Sequence, residues 1–289
     1  MSRNVTGHTK LLCLLGSPVE HSISPAMHNL AADTLGLDYE YLCFDVGEDD
    51  LETAVEGLRK LGVAGFNLTM PDKNRMAELC DELSPAAQIG KAVNTVVNDN
   101  GRFIGHTTDG VGFMKSAEAE GVQLAGKRMV QLGAGGAGTA ILIQAALDGL
   151  SSIDVFNIKD SFWPRLCEVV DQLNTRTGCK VSLHELTALD ELRAAIKDAD
   201  LLVNTTPVGM TGKEGCLIPD PSYLHEGLTV ADIIYEPRQT QLLKMAADAG
   251  LKTFNGMYML MYQGAASFEL WTGHKMPVET VKQLFENRK

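Results

Sequence analysis

The sequence has no excess of positive charge, no paired cysteines and no long hydrophobic run. Its 289 residues include 25 Lys and Arg against 37 Asp and Glu, which gives a formal net charge of −12. Because clustered Lys and Arg usually neutralise nucleic-acid phosphates, this balance excludes nucleic acid as the expected partner. The first apolar run, residues 11–15, is too short for a signal sequence or a membrane span. We therefore expect a cytoplasmic protein without a membrane partner.

The cysteine spacing excludes a metal-binding or redox motif. The six cysteines lie at positions 13, 43, 80, 167, 179 and 216, with no Cys-x-x-Cys pair and no histidine at metal-ligand spacing. We expect reduced thiols and no metal site. The composition, 45% hydrophobic and 21% charged, is that of a soluble globular protein. A chain of this length usually folds as two domains.

Short β-prone runs alternate with stretches of helical period, which predicts parallel sheets covered by helices, an α/β fold. The predicted strands span residues 10–15, 39–45, 65–69, 92–98, 102–105, 127–132, 153–157, 200–204, 229–232 and 252–254. The predicted helices span residues 25–35, 49–61, 109–120, 136–147, 162–174, 190–195, 240–249, 257–271 and 277–287, with another from about residue 74. The Asn100-Gly101 pair between residues 92–98 and 102–105 predicts a hairpin, so the first sheet should be mixed.

The glycine-rich segment after residues 127–132 is a candidate nucleotide site. Its residues are Gly133, Ala134, Gly135, Gly136, Ala137 and Gly138, a complete G-x-G-x-x-G between a predicted strand and a predicted helix. In that context the glycines allow a tight turn and close approach of a pyrophosphate to the helix N-terminus. The alternative is a glycine-rich turn with only a structural role.

An acidic residue about 20 positions further on should hold the ribose hydroxyls of the dinucleotide. The next predicted strand ends at Asn157, and Lys159 and Asp160 follow it. A carboxylate at Asp160 would repel a 2′-phosphate and favour NAD, whereas Lys159 could tolerate NADP. The alternative for Asp160 is a cap on the helix that follows.

Four further residues are candidates for substrate chemistry. Lys73 follows a strand end and a proline turn, and Asp109 stands between a strand and a helix. A Lys–Asp pair can exchange the hydroxyl proton while hydride moves to nicotinamide, although spacing alone favours a capping or solvated charge for each. Ser22 and Ser24 could face a polar substrate, but Ser24 before Pro25 is also a plain helix start.

Taken together, the motifs resemble the shikimate dehydrogenase family, and within it the quinate/shikimate dehydrogenase branch. The similarity runs from about residue 11 to 285 and depends on eight motifs in order: Ser22-Ile-Ser24-Pro25, Asn67-Leu-Thr69-Met-Pro71-Asp-Lys73, Ala92-Val-Asn94-Thr95, Thr108-Asp109-Gly-Val-Gly112-Phe113, Gly133-Ala-Gly-Gly-Ala137, Asn204-Thr-Thr-Pro207-Val-Gly209-Met210, Asp232-Ile-Ile-Tyr235-Glu-Pro237, and Gly256-Met-Tyr-Met-Leu260 with Gln263-Gly264.

The resemblance implies reversible NAD(P)-dependent hydride transfer between 3-dehydroshikimate and shikimate, or 3-dehydroquinate and quinate, in a cleft between two α/β domains. The proton-transfer pair would be Lys73 and Asp109. The implied substrate ligands are Ser22 and Ser24 for the carboxylate, and Asn67, Thr69, Asn94 and Gln263 for the ring hydroxyls or their neighbours. The implied nicotinamide contacts are Asn204, Thr205, Val208, Met210 and Gly256.

The resemblance also implies a discontinuous substrate domain, residues 1–109 and 256–289, and a Rossmann-type domain, residues 110–255.

Two departures from the family pattern stand out. Thr107 replaces the usual Asn before Thr108-Asp109, and residues 157–160 lack the Arg typical of NADP-specific members. We expect NAD with NADP possible, and a monomer or homodimer. Two alternatives stay open: a dehydrogenase of another, for example aminated, shikimate-like acid, and a catalytically silent nucleotide sensor.

Overall fold

The computed structural model describes residues 5–286 and divides into two compact units. Unit 1 comprises the N-terminal part of the chain through Thr108 and the C-terminal part from Met261, and unit 2 is Asp109–Leu260. One boundary lies at the start of a helix and the other lies inside a helix. Within residues 5–286, every helix is too short or too polar to cross a lipid bilayer.

Strands and helices alternate along most of the described chain. The strands are β1 Lys10–Gly16, β2 Tyr39–Asp45, β3 Gly65–Leu68, β4 Glu82–Leu83, β5 Thr95–Asp99, β6 Arg102–His106, β7 Arg128–Leu132, β8 Ser152–Asn157, β9 Lys180–Glu185, β10 Leu201–Asn204, β11 Thr229–Asp232 and β12 Lys252–Asn255. The α-helices are α1 Ser24–Leu35, α2 Leu51–Leu61, α3 Lys73–Leu79, α4 Pro85–Gly90, α5 Asp109–Ala119, α6 Gly136–Leu147, α7 Trp163–Arg176, α8 Leu189–Lys197, α9 Gln241–Asp248, α10 Met257–Thr272 and α11 Val278–Glu286.

Unit 1 contains a six-stranded mixed sheet in the order β2-β1-β3-β5-β6-β4. Strands β1, β2 and β3 are parallel, whereas β5 is antiparallel to both β3 and β6. The predicted hairpin is confirmed: Asn100 and Gly101 join β5 to β6 with φ angles of 53° and 91°. Two positive φ angles in a two-residue loop match the twist of the strands on either side.

Both faces of the unit 1 sheet are covered, as the sequence of β1 requires. Because side chains alternate along a strand, Cys13 and Leu15 face one core, where α2 contributes Val55. Leu12 and Leu14 face the opposite core together with Tyr41 and Trp271. The indole N–H of Trp271, from α10, donates to the carbonyl of Val96 at 2.9 Å, which ties this C-terminal helix to the sheet.

Unit 2 contains a parallel sheet in the order β12-β11-β10-β7-β8-β9. The inner strands β7, β10 and β11 are almost entirely buried, in keeping with their largely apolar sequences. Chain order reverses between β7 and β10. In open α/β sheets ligands bind outside the carboxyl ends of the strands at such a reversal, and the glycine-rich segment begins there, directly after Leu132.

The sequence patterns missed three elements: β4, α4 and β9. β4 has only two residues, and β9 carries Lys, Ser, His and Glu among its six, so neither has the apolar run that marks a strand. β9 lies at the sheet edge, where one side is exposed and polar residues are tolerated. Asn287, the predicted end of the last helix, lies outside the described residues.

Candidate active site

A buried polar network in unit 1 surrounds Asn67, at the carboxyl end of β3. Asn67 is only 6% exposed, and its amide N–H groups donate to the carbonyl of Asn94 at 2.9 Å and to the hydroxyl of Thr95 at 3.0 Å. Its Oδ1 accepts a 2.8 Å hydrogen bond from the hydroxyl of Tyr41. The side chain of Asn67 is therefore occupied by protein partners and organises the groups around it.

Asn94 connects this network to the end of unit 1. Its Oδ1 accepts from the backbone N–H of Thr108 at 2.8 Å, and its Nδ2 donates to the Thr108 hydroxyl at 3.0 Å. The same amide lies 3.5 Å from Oε1 of Gln263 on α10. Thr95 and Ser267 share a 2.7 Å hydrogen bond, and Ser267 lies one turn after Gln263. Asn67, Asn94 and Gln263, which the sequence analysis selected, thus belong to one network.

Ser22 and Ser24 lie where the chain enters α1. The backbone N–H of Ser24 donates to the hydroxyl of Ser22 at 3.2 Å. Burial raises the pKa of the Tyr41 hydroxyl, and a contribution from Ser24 partly offsets this rise. Burial raises the pKa of the Cys43 thiol, and a hydrogen bond from Ser22 partly offsets this rise. Both serines are half-buried.

Lys73 is the first residue of α3, directly after the turn that follows β3. Its carbonyl accepts from the N–H of Val93 at 2.8 Å, and its side chain is half-buried. Thr69, also half-buried, is held to β1 by its N–H, which donates to Leu15 at 3.0 Å. Between them, Asp72 is fully buried, and neither carboxylate oxygen has a hydrogen-bond partner among residues 5–286. Burial and then the nearby Glu48 raise the pKa of Asp72.

Asp109, the other half of the predicted proton-transfer pair, belongs to unit 2. It is the half-buried first residue of α5. Gly110, the next residue, packs so closely on α6 that a Cβ atom there would lie 2.2 Å from the carbonyl oxygen of Ala140. This contact fixes the start of α5, and with it the position of Asp109 in unit 2. Thr107, the departure from the family pattern, is half-buried.

The glycine loop of unit 2 has two positions that need glycine for packing. Gly133 has a φ of +87°, and a Cβ there would lie 2.5 Å from Cγ2 of Thr206. A Cβ at Gly138 would lie 2.4 Å from the Thr205 hydroxyl. Gly135 differs, because it is exposed and a Cβ there meets no atom within 4 Å. The loop therefore leaves open space at the N-terminus of α6, as a bound pyrophosphate requires.

Gln131, which the sequence analysis did not select, holds this loop through hydrogen bonds to its backbone. Its Nε2 donates to the carbonyls of Gly133 at 2.8 Å and Gly138 at 2.9 Å, and its side chain is fully buried. Thr205 also donates to the carbonyl of Gly133, at 2.8 Å. A polar residue within the apolar strand β7 was the signal that could have revealed Gln131.

Residues at the end of β8 hold the other side of the glycine loop. Oδ1 of Asn157 accepts from the N–H of Ala134 at 3.0 Å. Asp160 is exposed, and its carboxylate accepts from the N–H of Phe162 at 2.9 Å in the turn before α7, whereas α7 itself begins without a side-chain cap. The Lys159 ammonium pairs with Glu185 and lies 5.3 Å from the ring centre of Trp163.

Asn204 and its neighbours form the loop after β10. The Asn204 amide donates to the carbonyl of Val208 at 3.0 Å, and its Oδ1 accepts from the N–H of Thr206 at 3.0 Å. Asn204 is buried, whereas the Met210 side chain is exposed. Gly256 is also buried, and a Cβ atom there would overlap the backbone of Ile233. These predicted nicotinamide residues therefore also have structural roles within unit 2.

The parallel sheet with its glycine loop and chain reversal defines unit 2 as a Rossmann-type dinucleotide-binding fold. Comparison with known proteins identifies the rest of the chain. Residues 14–96 match the family model of the shikimate dehydrogenase substrate binding domain, and residues 256–284 match that of the shikimate 5'-dehydrogenase C-terminal domain. The shikimate dehydrogenase (NADP(+)) of Listeria innocua is 44% identical over 285 residues, with 98% of both chains covered.

Two solved structures are also similar. Shikimate 5-dehydrogenase from Listeria monocytogenes, in complex with shikimate and NAD, aligns with a TM-score of 0.95 at 44% identity, covering 98% of this chain and 99% of the other. Quinate dehydrogenase from Corynebacterium glutamicum, in complex with NAD, aligns with a TM-score of 0.86 at 31% identity, covering 97% and 99%. The chain belongs to the shikimate dehydrogenase family.

Proposed function

We propose that this protein is an NAD(P)-dependent oxidoreductase that interconverts shikimate and 3-dehydroshikimate. The observation that carries the proposal is the buried network of Asn67, Asn94 and Gln263 in unit 1, in a chain whose unit 2 has a dinucleotide-binding fold. The names of the relatives and their full-length similarity support the same reaction.

The substrate we propose is a ring carrying a carboxylate and several hydroxyls, which needs many well-placed polar partners. Ser22 and Ser24 are assigned to the carboxylate, since two half-buried hydroxyls at the start of α1 can donate to it. Asn94 and Gln263 are assigned to the ring hydroxyls together with Thr69. Asn67 is assigned to the same ring contacts, and like Asn94 it also has protein partners.

Lys73 and Asp109 are assigned to the reacting hydroxyl. In the reduction, Nζ of Lys73 gives a proton to the ketone oxygen as it becomes a hydroxyl, and in the oxidation it takes that proton back. Asp109 is assigned to accept a hydrogen bond from the same hydroxyl. A positioned proton-transfer group of this kind contributes roughly 10²–10⁴ in rate.

The glycine loop fits a dinucleotide, because Gly135 and Gly136 leave open space where side chains would otherwise block a pyrophosphate. The residues that would hold the cofactor are the loop amides from Ala134 to Gly138 and the N-terminus of α6. When bound, the nicotinamide supplies or accepts the hydride. Asn204, Thr205, Val208, Met210 and Gly256 are assigned to the nicotinamide side.

We further propose that NAD is preferred and NADP accepted. Asp160 follows Lys159 in the loop after β8, and Glu185 at the end of β9 pairs with the Lys159 ammonium, so these three side chains together carry a net negative charge that disfavours a 2′-phosphate. The Listeria monocytogenes structure holds NAD, although curated relatives are named for NADP(+). A higher kcat/KM with NADP than with NAD would overturn this preference.

The direct test is the absorbance change at 340 nm with shikimate or quinate and either nucleotide. Oxidation of shikimate with at least one nucleotide is expected, and quinate oxidation would be a second activity, as the similarity to the Corynebacterium enzyme favours. Turnover only with an aminated analogue would identify a related dehydrogenase. Nucleotide binding by calorimetry without turnover on any acid would identify a sensor, and Thr107 would then be the first residue to exchange.

A further inference from the structure

His28 is a buried histidine to which none of the assigned roles applies. It lies on α1, four residues after Ser24, so both side chains face the same side of the helix. The residue is 1% exposed, and neither ring nitrogen has a hydrogen-bond partner among residues 5–286. Burying two unpaired nitrogens costs stability that an apolar residue of similar size would not.

The ring of His28 stacks on the ring of Tyr41. Their centres are 4.5 Å apart and their planes differ by 15°, a face-to-face contact. Phe268 and Trp271 of α10 complete the surroundings, with ring centres 6.1 Å and 5.2 Å from that of His28. Burial lowers the pKa of His28 to about 3, so the imidazole is uncharged at neutral pH.

Asn29, the next residue of α1, holds the backbone of the same tyrosine. Its Oδ1 accepts from the N–H of Tyr41 at 2.8 Å, and its Nδ2 donates to the Tyr41 carbonyl at 3.0 Å. Two consecutive residues of α1 therefore fix Tyr41, one through the ring and one through the backbone.

The hydroxyl of Tyr41 holds one of the assigned residues. It donates to Oδ1 of Asn67 at 2.8 Å. Tyr41 is only 1% exposed, so this hydrogen bond is shielded from solvent. A rotation of the ring would remove the donor from Asn67 and disturb the network that contains Asn94 and Gln263.

We propose that His28 is a positioning residue for substrate binding, whose ring holds Tyr41 where the tyrosine hydroxyl donates to Asn67. The inference depends on the proposed function, because it assigns His28 to the same substrate site. A flat aromatic ring is required, since only a ring can stack on the tyrosine face. His28 acts through Tyr41 and touches no reacting atom.

The test is steady-state kinetics of His28→Leu, His28→Phe, Tyr41→Phe and the double variant His28→Leu/Tyr41→Phe. His28→Leu keeps similar volume but loses the ring face, and we expect the KM for shikimate to rise roughly tenfold, with kcat and the KM for nucleotide changed less than about threefold. His28→Phe should recover most of that loss. The double variant should have the KM of Tyr41→Phe alone, since His28 acts through the tyrosine.

Leu58→Ala, on α2 in the opposite core of unit 1, is the matched control, because it lowers stability without altering Tyr41. Its KM for shikimate should be that of the wild type. A wild-type KM in His28→Leu, failure of His28→Phe to recover binding, or multiplied KM increases in the double variant would overturn the proposal. A wild type that oxidises no shikimate would instead defeat the proposed function, and with it this role.

Discussion

The side-chain amide of Asn204 donates a 3.1 Å hydrogen bond to Oδ1 of Asp232, at the ends of the adjacent strands β10 and β11. Asp232 is 1% exposed, and its carboxylate also accepts from the hydroxyl of Thr240 at 2.8 Å and the N–H of Ile234 at 3.0 Å. Burial nevertheless raises the pKa of Asp232 above its ordinary value. The carboxylate therefore depends on each of its donors.

Asn204→Ala should destabilise the protein by about 1–3 kcal/mol, because it leaves a buried carboxylate with one donor fewer and frees the loop at Thr206. Urea unfolding monitored by circular dichroism measures this. Asn74→Ala, at an exposed position of α3, should change stability by less than about 0.5 kcal/mol. Equal stability of the two variants would contradict the structural role of Asn204.

Lys73→Ala should lower kcat roughly 10²–10⁴-fold while the Kd for nucleotide stays near that of the wild type, because only proton transfer is lost. Rapid kinetics and calorimetry separate the two quantities. Lys60→Ala removes another lysine of unit 1, whose side chain is 78% exposed on α2, and should keep wild-type kinetics. Wild-type turnover in Lys73→Ala would show that another group moves the proton.

Gly133→Ala and Gly135→Ala should affect different properties, the first the melting temperature and the second the Kd for nucleotide. Gly133 has a positive φ and a close contact with Thr206, so alanine there should lower the melting temperature. Gly135 has open space and a φ of −67°, so alanine there should leave the melting temperature unchanged but raise the Kd for nucleotide. Thermal unfolding without ligand, paired with calorimetric titration, measures both. Unchanged nucleotide affinity in Gly135→Ala would place the pyrophosphate elsewhere.

Asp160→Ser should raise the ratio of kcat/KM for NADP to that for NAD roughly tenfold, since one negative charge is removed beside Lys159. Serine can still accept from the N–H of Phe162, so the turn before α7 is preserved. Asp171→Ser, at an exposed position of the same unit, should leave the ratio unchanged. An unchanged ratio in Asp160→Ser would indicate that the Asp160 carboxylate stabilises only the turn before α7 and does not affect the choice between NAD and NADP.

His28 should make the protein less stable in acid. Its pKa is about 3 in the folded protein against an ordinary value of 6.5, so the unfolded chain binds a proton first as the pH falls. Stability is full above about pH 6.5 and decreases below it by up to roughly 1.4 kcal/mol per pH unit from this group. His28→Phe should flatten the profile between pH 6 and pH 4 in urea unfolding. The exposed His8→Gln is the control, and parallel profiles for wild type and His28→Phe would be the contrary result.

Local patterns were sufficient for most of the secondary structure. The Asn100-Gly101 hairpin, the glycine loop and the helix from Gly136 to Leu147 follow from residues adjacent in sequence, and the structure has them where the patterns predict. Edge strand β9 escaped prediction because four of its six residues are polar, which an edge position in the sheet tolerates.

The residues of the candidate site also fall into two groups, those that the sequence indicated and those that only the structure revealed. The family resemblance selected Asn67, Asn94 and Gln263, but no pattern pointed to His28 or Tyr41, because a histidine in a helix and a tyrosine in a strand are ordinary. The sequence by itself determined the elements, the glycine loop and the family resemblance, since these depend on neighbouring residues. Only the tertiary structure decided which buried polar groups share hydrogen bonds, because those partners lie up to 200 residues apart in the chain, as Asn67 and Ser267 do.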